Sequence, residues 1–423
     1  MPPVSANTLR RRYVVITALT WLPQGVSMAA MLLLMANRGL DLVTIGILFT
    51  VQSLVVTALE LPTGGFSDVI GRRGVLVVSA LVGIAGFAWL AFAHDVWEFM
   101  AVAVLRGIAR ALSTGPAEAW YVDAVHANDP DGDIRTGLAL GQTASGVALG
   151  VGTLVGGSLP FLLPTIGPLE SLAAPMALSA LLYLGLLAAV LTGMTEPARE
   201  APTPTFGALM RDVPATIGAG VKLGFGRRTL AQLLMTFAVL GFALNAVEIL
   251  TPGWLEVLAG DAERAAAVYG LVTALGFVAS AVGALMTPLI ARMFGGSPHL
   301  TAIVGTGFAG FGMASMFISG YLATASGVIV IGIGYCLLFL GLGVRGPVQS
   351  ELVHREVAAS QRATVVSIQS LLMQATGAVS SLTIPWLVAA WSVPGTWLLS
   401  GLALAASAVL FRRPSTQPRP VTV

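Results

Sequence analysis

The sequence predicts an all-α membrane protein: twelve transmembrane helices in two pseudo-symmetric six-helix bundles. Three observations lead there. Of 423 residues, 56% are hydrophobic and only 10% charged, against roughly 25% charged in soluble domains. A chain so poor in charge cannot coat itself for water, and its mean hydropathy is +0.86. The apolar residues also fall into runs near the ~20 residues that cross a bilayer as helix. Finally, the second half of the chain repeats features of the first, as duplicated bundles do.

The spans follow in order. Arg10–Arg12 precede the run Tyr13–Ala36, the charge order of a signal sequence. No small-residue cleavage site follows, so this is an uncleaved first span. Leu42–Leu61, Gly74–Ala93, Val96–Ala119, Thr136–Leu163 and Leu172–Met194 complete a first group of six. Val96–Ala119 is the only span expected to hold charges at mid-depth. Thr229–Pro252 and Ala265–Ala291 open the second group. The uncharged window Met293–Val344 is too long for one helix and divides at Tyr321–Thr324. Ala363–Trp391 and Trp397–Phe411, parted by the Ser392–Gly395 turn, close the count. The organisation is thus an N-terminal bundle (1–194), a polar Pro-rich linker (195–228) and a C-terminal bundle with a short tail (229–423). Phe206–Leu223 reads as an interfacial helix within the linker.

Charge sets the orientation. Seventeen of the 22 basic residues fall in the terminal and even-numbered loops, and only Arg38 and Arg264 in the others. The positive-inside rule therefore places both termini in the cytoplasm, in a cell inner (cytoplasmic) membrane. Trp89, Trp97, Trp254, Trp391 and Trp397 collect at the outer turns as an interfacial belt. The formal net charge of +2, with no basic block, gives no reason to expect a nucleic-acid partner. Lys222 is the only lysine and Cys336 the only cysteine, so no intrachain disulfide forms.

The repeat is visible without gaps. A shift of 227 residues superimposes Arg135 on Arg362, Gln142 on Gln369 and Gly150 on Gly377. Gly115-Pro116-Ala-Glu118 resembles Gly346-Pro347-Val-Gln349 at a shift of 231. These matches bring the fourth and fifth spans into register with the tenth and eleventh.

Between the second and third spans lies Gly64-Gly-Phe-Ser-Asp68-Val-Ile-Gly71-Arg72-Arg73. Its glycines permit a tight reversal, Asp68 can cap the third helix, and the arginines hold the cytoplasmic face. The spacing resembles the signature loop of the major facilitator superfamily, although Val69 stands where that family usually has a basic residue. The resemblance implies the major facilitator fold, with the loop as a conformational latch between halves. It also implies that Asp123 partners the loop arginines, Arg72 first.

The fourth span carries Arg106 and Arg110 on nearly one face. A charge at that depth costs at least ~2.5 kcal/mol unless it faces a cavity or a partner. Arg106 matches the arginine of drug:proton antiporters in this family, but Ala109-Arg110 replaces their Gln-Gly pair. Gly146-x3-Gly150-x-Gly152-x3-Gly156-Gly157 in the fifth span is similar to the antiporter motif, with Thr153 in place of its proline. Close helix packing explains these glycines equally well. Glu60 and Glu118 are proton-coupling candidates together with Arg106, because a poorly hydrated carboxylate titrates near neutrality. A static salt bridge at the inner gate would use the same two acids. Gln24, in the Pro23-Gln24-Gly25 break, joins Arg106, Arg110, Gln142, Asn245, Glu248 and Gln369 as a candidate for the substrate cavity, which the family places among spans 1, 4, 5, 7, 10 and 11.

No phosphate-binding Gly-x4-Gly-Lys-Ser/Thr loop, His-Glu-x-x-His pair or nucleophile elbow occurs in the sequence, so neither an ATP-driven pump nor an enzyme is expected. No metal or other cofactor is expected. The reading is a monomeric secondary transporter working by alternating access, exporting a small amphipathic drug or natural product against protons. A carrier of an organic anion held by Arg106 and Arg110 is the alternative. A non-transporting receptor or scaffold with a carrier fold is the alternative of another class.

Overall fold

The computed structural model describes residues 5–129, 132–196, 218, 222–358 and 361–412, without the side chains of 61–70 and 363. The described residues are almost entirely helical, and their only β contact is an isolated bridge between Ile166 and Leu169. We number the helices α1 (Ala6–Asn37), α2 (Leu42–Ile70), α3 (Arg72–Phe92), α4 (Val96–Ser113), α5 (Pro116–Asn128) and α6 (Arg135–Leu162). Then follow α7 (Ala174–Gly193), α8 (Arg228–Ala259), α9 (Ala262–Met293), α10 (Pro298–Ser315), α11 (Thr324–Arg355) and α12 (Arg362–Ala406). Ten helical stretches among the described residues are long and apolar enough to cross a membrane. Polar residues at the turns start several of them. The side chains of Ser5, Asp41, Asp261 and Ser297 each accept a backbone N–H of the helix they precede, donors that lipid cannot satisfy.

Several boundaries differ from the sequence reading, each for a local reason. The loop between the second and third spans is mostly helix. α2 runs through to Ile70, and Gly71, at φ +88°, makes the reversal alone. The fourth span is not one helix either. α4 stops at Ser113, Gly115 takes φ +92°, and Pro116 begins α5, because proline suits a first helical turn. The corresponding Gly346-Pro347 lies inside a continuous α11. That helix continues past Val344, so the fully buried Arg345 is a second mid-depth arginine site that the sequence reading cut off. The divisions expected at Tyr321–Thr324 and Ser392–Gly395 are present. A 3-10 turn ends at Tyr321 before α11 starts at Thr324, and Ser392, at φ 67°, kinks α12.

Both described termini lie at one end of the bundle. There, Arg12 donates to the last carbonyl of α7, Gly193 O, at 3.2 Å, and Leu230, Leu352, Ile368 and Phe411 form one apolar cluster. We call this the terminal end and the other the distal end. Glycines let α6 cross α1 closely, since a Cβ at Gly156 would lie 1.9 Å from Val26 O. On its other side α6 meets α9, where a Cβ at Gly157 would lie 2.4 Å from Ala266 O. This second contact opens towards the terminal end, where Gly146 has nothing within 4 Å. The distal end is shut by Ala29–Met35 of α1, all buried, and by the Ser171 hydroxyl donating to Glu263 at 2.9 Å.

Candidate functional site

A cavity of about 420 Å³ occupies the centre of the bundle. α1 contributes Trp21 and Gln24, α4 contributes Arg106 and Arg110, and α8 contributes Asn245 and Glu248. Each polar group is placed by its own helix. Pro23 interrupts the hydrogen-bond ladder of α1, and its carbonyl accepts the Ser179 hydroxyl of α7 at 2.9 Å. One residue on, Gln24 donates to the Tyr183 hydroxyl at 2.8 Å. Arg106 and Arg110 stand one turn apart and therefore on one face. Their guanidinium carbons rest 5.2 Å from the Phe87 ring centroid and 4.1 Å from that of Trp21. Aromatic faces stabilise cations where water is scarce. Asn245 accepts the Ser381 hydroxyl of α12 at 2.9 Å.

Glu248 changes the electrostatics of this cavity. The sequence reading counted it with the two arginines as a cavity candidate, and packing brings it from α8 to the same space. It approaches neither arginine within the 4.0 Å of a salt bridge among the described residues. The cavity thus sets two arginines and one carboxyl group around open volume. A group carrying negative charge is attracted to the arginine side, and an ammonium to the acid side.

A second, smaller cavity of about 160 Å³ lies towards the terminal end. Glu118, Gln142, Tyr13, Thr17 and Ser145 line it, and Trp21 borders both spaces. The break at Gly115 puts Glu118 in the first turn of α5, where the helix dipole favours a carboxylate. Glu118 and Gln142 are therefore separated from the central cavity by the Trp21 ring. Glu60 lies elsewhere, on α2, accepting the Ser370 hydroxyl of α12 at 2.6 Å. Gln369 lines neither space, although its repeat partner Gln142 does. Gln52 and Gln374 line the central cavity instead. Their sequence surroundings are ordinary apolar helix, and only the three-dimensional crossing of α2 and α12 singles them out.

The residues expected to form the latch divide into those the structure describes and those it does not. Arg72 pairs with Asp123 of α5 and donates to Ala119 O, as the resemblance implied. Arg73 donates from its side chain to Leu191 O at 2.8 Å. The cap of α3 comes from Glu196, whose carboxylate accepts the Arg73 backbone N–H at 3.0 Å. That position had been offered to Asp68, whose side chain, like the surroundings of Gly64, lies outside the described residues. Most of the linker, including much of Phe206–Leu223, lies outside them too.

The family model of the Major Facilitator Superfamily matches residues 13–345. The chain belongs to that superfamily. Among solved structures similar to this major facilitator protein is the nucleoside transporter NupG, with TM-score 0.75 and 14% identity over 95% of this chain and 98% of that one. A POT family transporter in complex with a thioalcohol-conjugated peptide gives 0.71 and 13%, over 95% and 94%. A bacterial homologue of the human drug peptide transporters PepT1 and PepT2 gives 0.70 and 12%, over 96% and 98%. At such identities the likeness carries the fold. No curated protein matches the chain by sequence. The protein is thus a multi-pass membrane protein of a transporter superfamily.

Proposed function

We propose that the chain is a secondary transporter that carries a small organic anion or zwitterion by alternating access. One observation carries the substrate class: Arg106, Arg110 and Glu248 line one 420 Å³ cavity without forming a salt bridge. Placing charges in a membrane is costly, and charges left unpaired across an open cavity are held for a ligand. A carboxylate or phosphate against the arginines and an ammonium against Glu248 would complete the set. Solved neighbours named for nucleoside and peptide transport share this fold, and the size of the cavity suits solutes of that order.

In this reading the twelve spans form two six-helix halves, residues 1–194 and 229–423, that rock about the cavity. The shut distal end and the parting of α6 from α9 correspond to the state open at the terminal end, which the positive-inside rule assigns to the cytoplasm. Proton-coupled drug efflux, the first expectation from sequence, is the second reading. It is favoured by Glu118, exposed in the smaller cavity next to the route out. The protein works as a monomer in either case.

Proteoliposomes separate the two. With an imposed proton gradient, a pH-sensitive dye inside and a panel of organic anions, zwitterions and lipophilic cations outside, the first reading expects anion or zwitterion flux lost in Arg106→Ala. Proton release triggered by lipophilic cations and abolished in Glu118→Gln would establish the second instead. Ligand binding without any flux would indicate a receptor.

A further inference from the structure

A third cavity lies outside the transport route, between the start of α1 and the end of α7. It is a cleft of about 380 Å³ lined by Arg11, Arg12, Val15, Ile16, Ala189, Thr192 and Gly193. We propose that this cleft binds an anionic phospholipid, with the headgroup between Arg11 and Arg12 and an acyl chain along α7.

Depth is the first argument. From Asn37 back to Arg12, α1 extends about 38 Å at ~1.5 Å per residue, longer than the ~30 Å hydrocarbon core but within the ~40–45 Å that includes headgroups. The two arginines are therefore at the level of lipid phosphates. α7, with 20 residues, is about 30 Å long and ends at Gly193 where the hydrocarbon does.

The lining gives the second argument. Arg12 uses one N–H on Gly193 O, at 3.2 Å. Arg11 is exposed and has no hydrogen bond or ion pair among the described residues. Among the described residues no acid lines the cleft, so neither cation has a carboxylate partner there. One turn deeper the surface becomes aliphatic: Val15 is 50% exposed, and Leu184 and Leu181 continue outwards along α7. A free phosphate would use the arginines and leave that apolar strip empty, whereas a phospholipid uses both.

The test uses the full-length protein, delipidated in mild detergent. Phosphatidylglycerol, phosphatidylcholine and soluble glycerol 3-phosphate are added separately, and binding is read by native mass spectrometry alongside the melting temperature. Phosphatidylglycerol should bind and raise the melting temperature. Arg11→Gln/Arg12→Gln should weaken that binding roughly thirtyfold, at about a fivefold loss for each surface charge. Arg11→Lys/Arg12→Lys should largely keep it, and Arg135→Gln, exposed at the same end outside the cleft, should leave it unchanged. If the double glutamine variant misfolds, Arg11→Gln alone reads the same effect, because Arg11 has no partner to lose among the described residues. Equal binding of phosphatidylcholine, equal effect of glycerol 3-phosphate, or undiminished phosphatidylglycerol binding in Arg11→Gln would each overturn the proposal. None of these readouts depends on the substrate.

Discussion

Gly156→Ala should damage this protein, while Gly146→Ala, ten residues earlier on the same helix, should not. A Cβ at Gly156 would stand 1.9 Å from Val26 O, and a carbon–oxygen contact needs about 3.3 Å. α1 and α6 would have to part by roughly 1.4 Å, and the obstacle is backbone, which cannot rotate away as a side chain can. Overpacking of this kind costs about 1–3 kcal/mol. Gly152, where a Cβ would meet Leu22 O at 2.8 Å, should lie between, and Gly150, whose nearest contact is Phe277 Cβ at 3.6 Å, should tolerate alanine. The assay is the fraction of monodisperse protein left after heating in detergent, compared across the four variants. The expected order of stability is Gly146→Ala and Gly150→Ala equal to wild type, then Gly152→Ala, then Gly156→Ala. If Gly156→Ala melts with Gly146→Ala, the close α1–α6 crossing is wrong. Gly157→Ala adds a functional arm. Its Cβ would press on Ala266 O of α9 at 2.4 Å, a contact between the proposed halves, so it should speed labelling of cysteines introduced at the distal end more than it lowers stability.

Other perturbations test the remaining contacts. Glu248→Gln should lower affinity for a zwitterion while sparing a simple anion, and equal loss of both, measured as substrate-induced thermal shift, would contradict the opposed-charge cavity. Arg345 donates to Thr236 O at 2.9 Å and to Gln349 at 2.7 Å. Arg345→Ala, which leaves the buried Gln349 Oε1 without its donor, should therefore destabilise by about 1–3 kcal/mol, and Arg345→Met by clearly less, as read by thermal melting. Exchanging Arg72 and Asp123 should restore much of the transport lost in either single reversal, and failure of the exchange to rescue would remove the pair from the latch. Glu98 accepts the backbone N–H groups of His94 and Asp95 and the Trp89 indole. Glu98→Gln, which removes a charged acceptor from these three donors, should therefore melt lower at pH 7.

The sequence by itself determined the class of protein and most of its helices. Twenty apolar residues in lipid have one way to satisfy their backbone, so composition and run length lead to a helical membrane protein. Arg106 was legible as a cavity residue because burying a charge requires a reason. Asp123 was legible through the resemblance that paired it with Arg72. Helix ends were read less well, since Gly115-Pro116 and Gly346-Pro347 look alike in sequence, and only neighbouring packing decides whether such a pair breaks a helix or is carried through it. The cavity was decided by the tertiary structure. Glu248 lies 138 residues from Arg110 along the chain; the resemblance made both cavity candidates, but no local pattern reports the distance or the facing between them. Gln52 and Gln374 entered the lining, and Gln369 left it, through the same crossings. Local chemistry fixes what each helix can bury, whereas the facing of one helix towards another depends on contacts between distant segments.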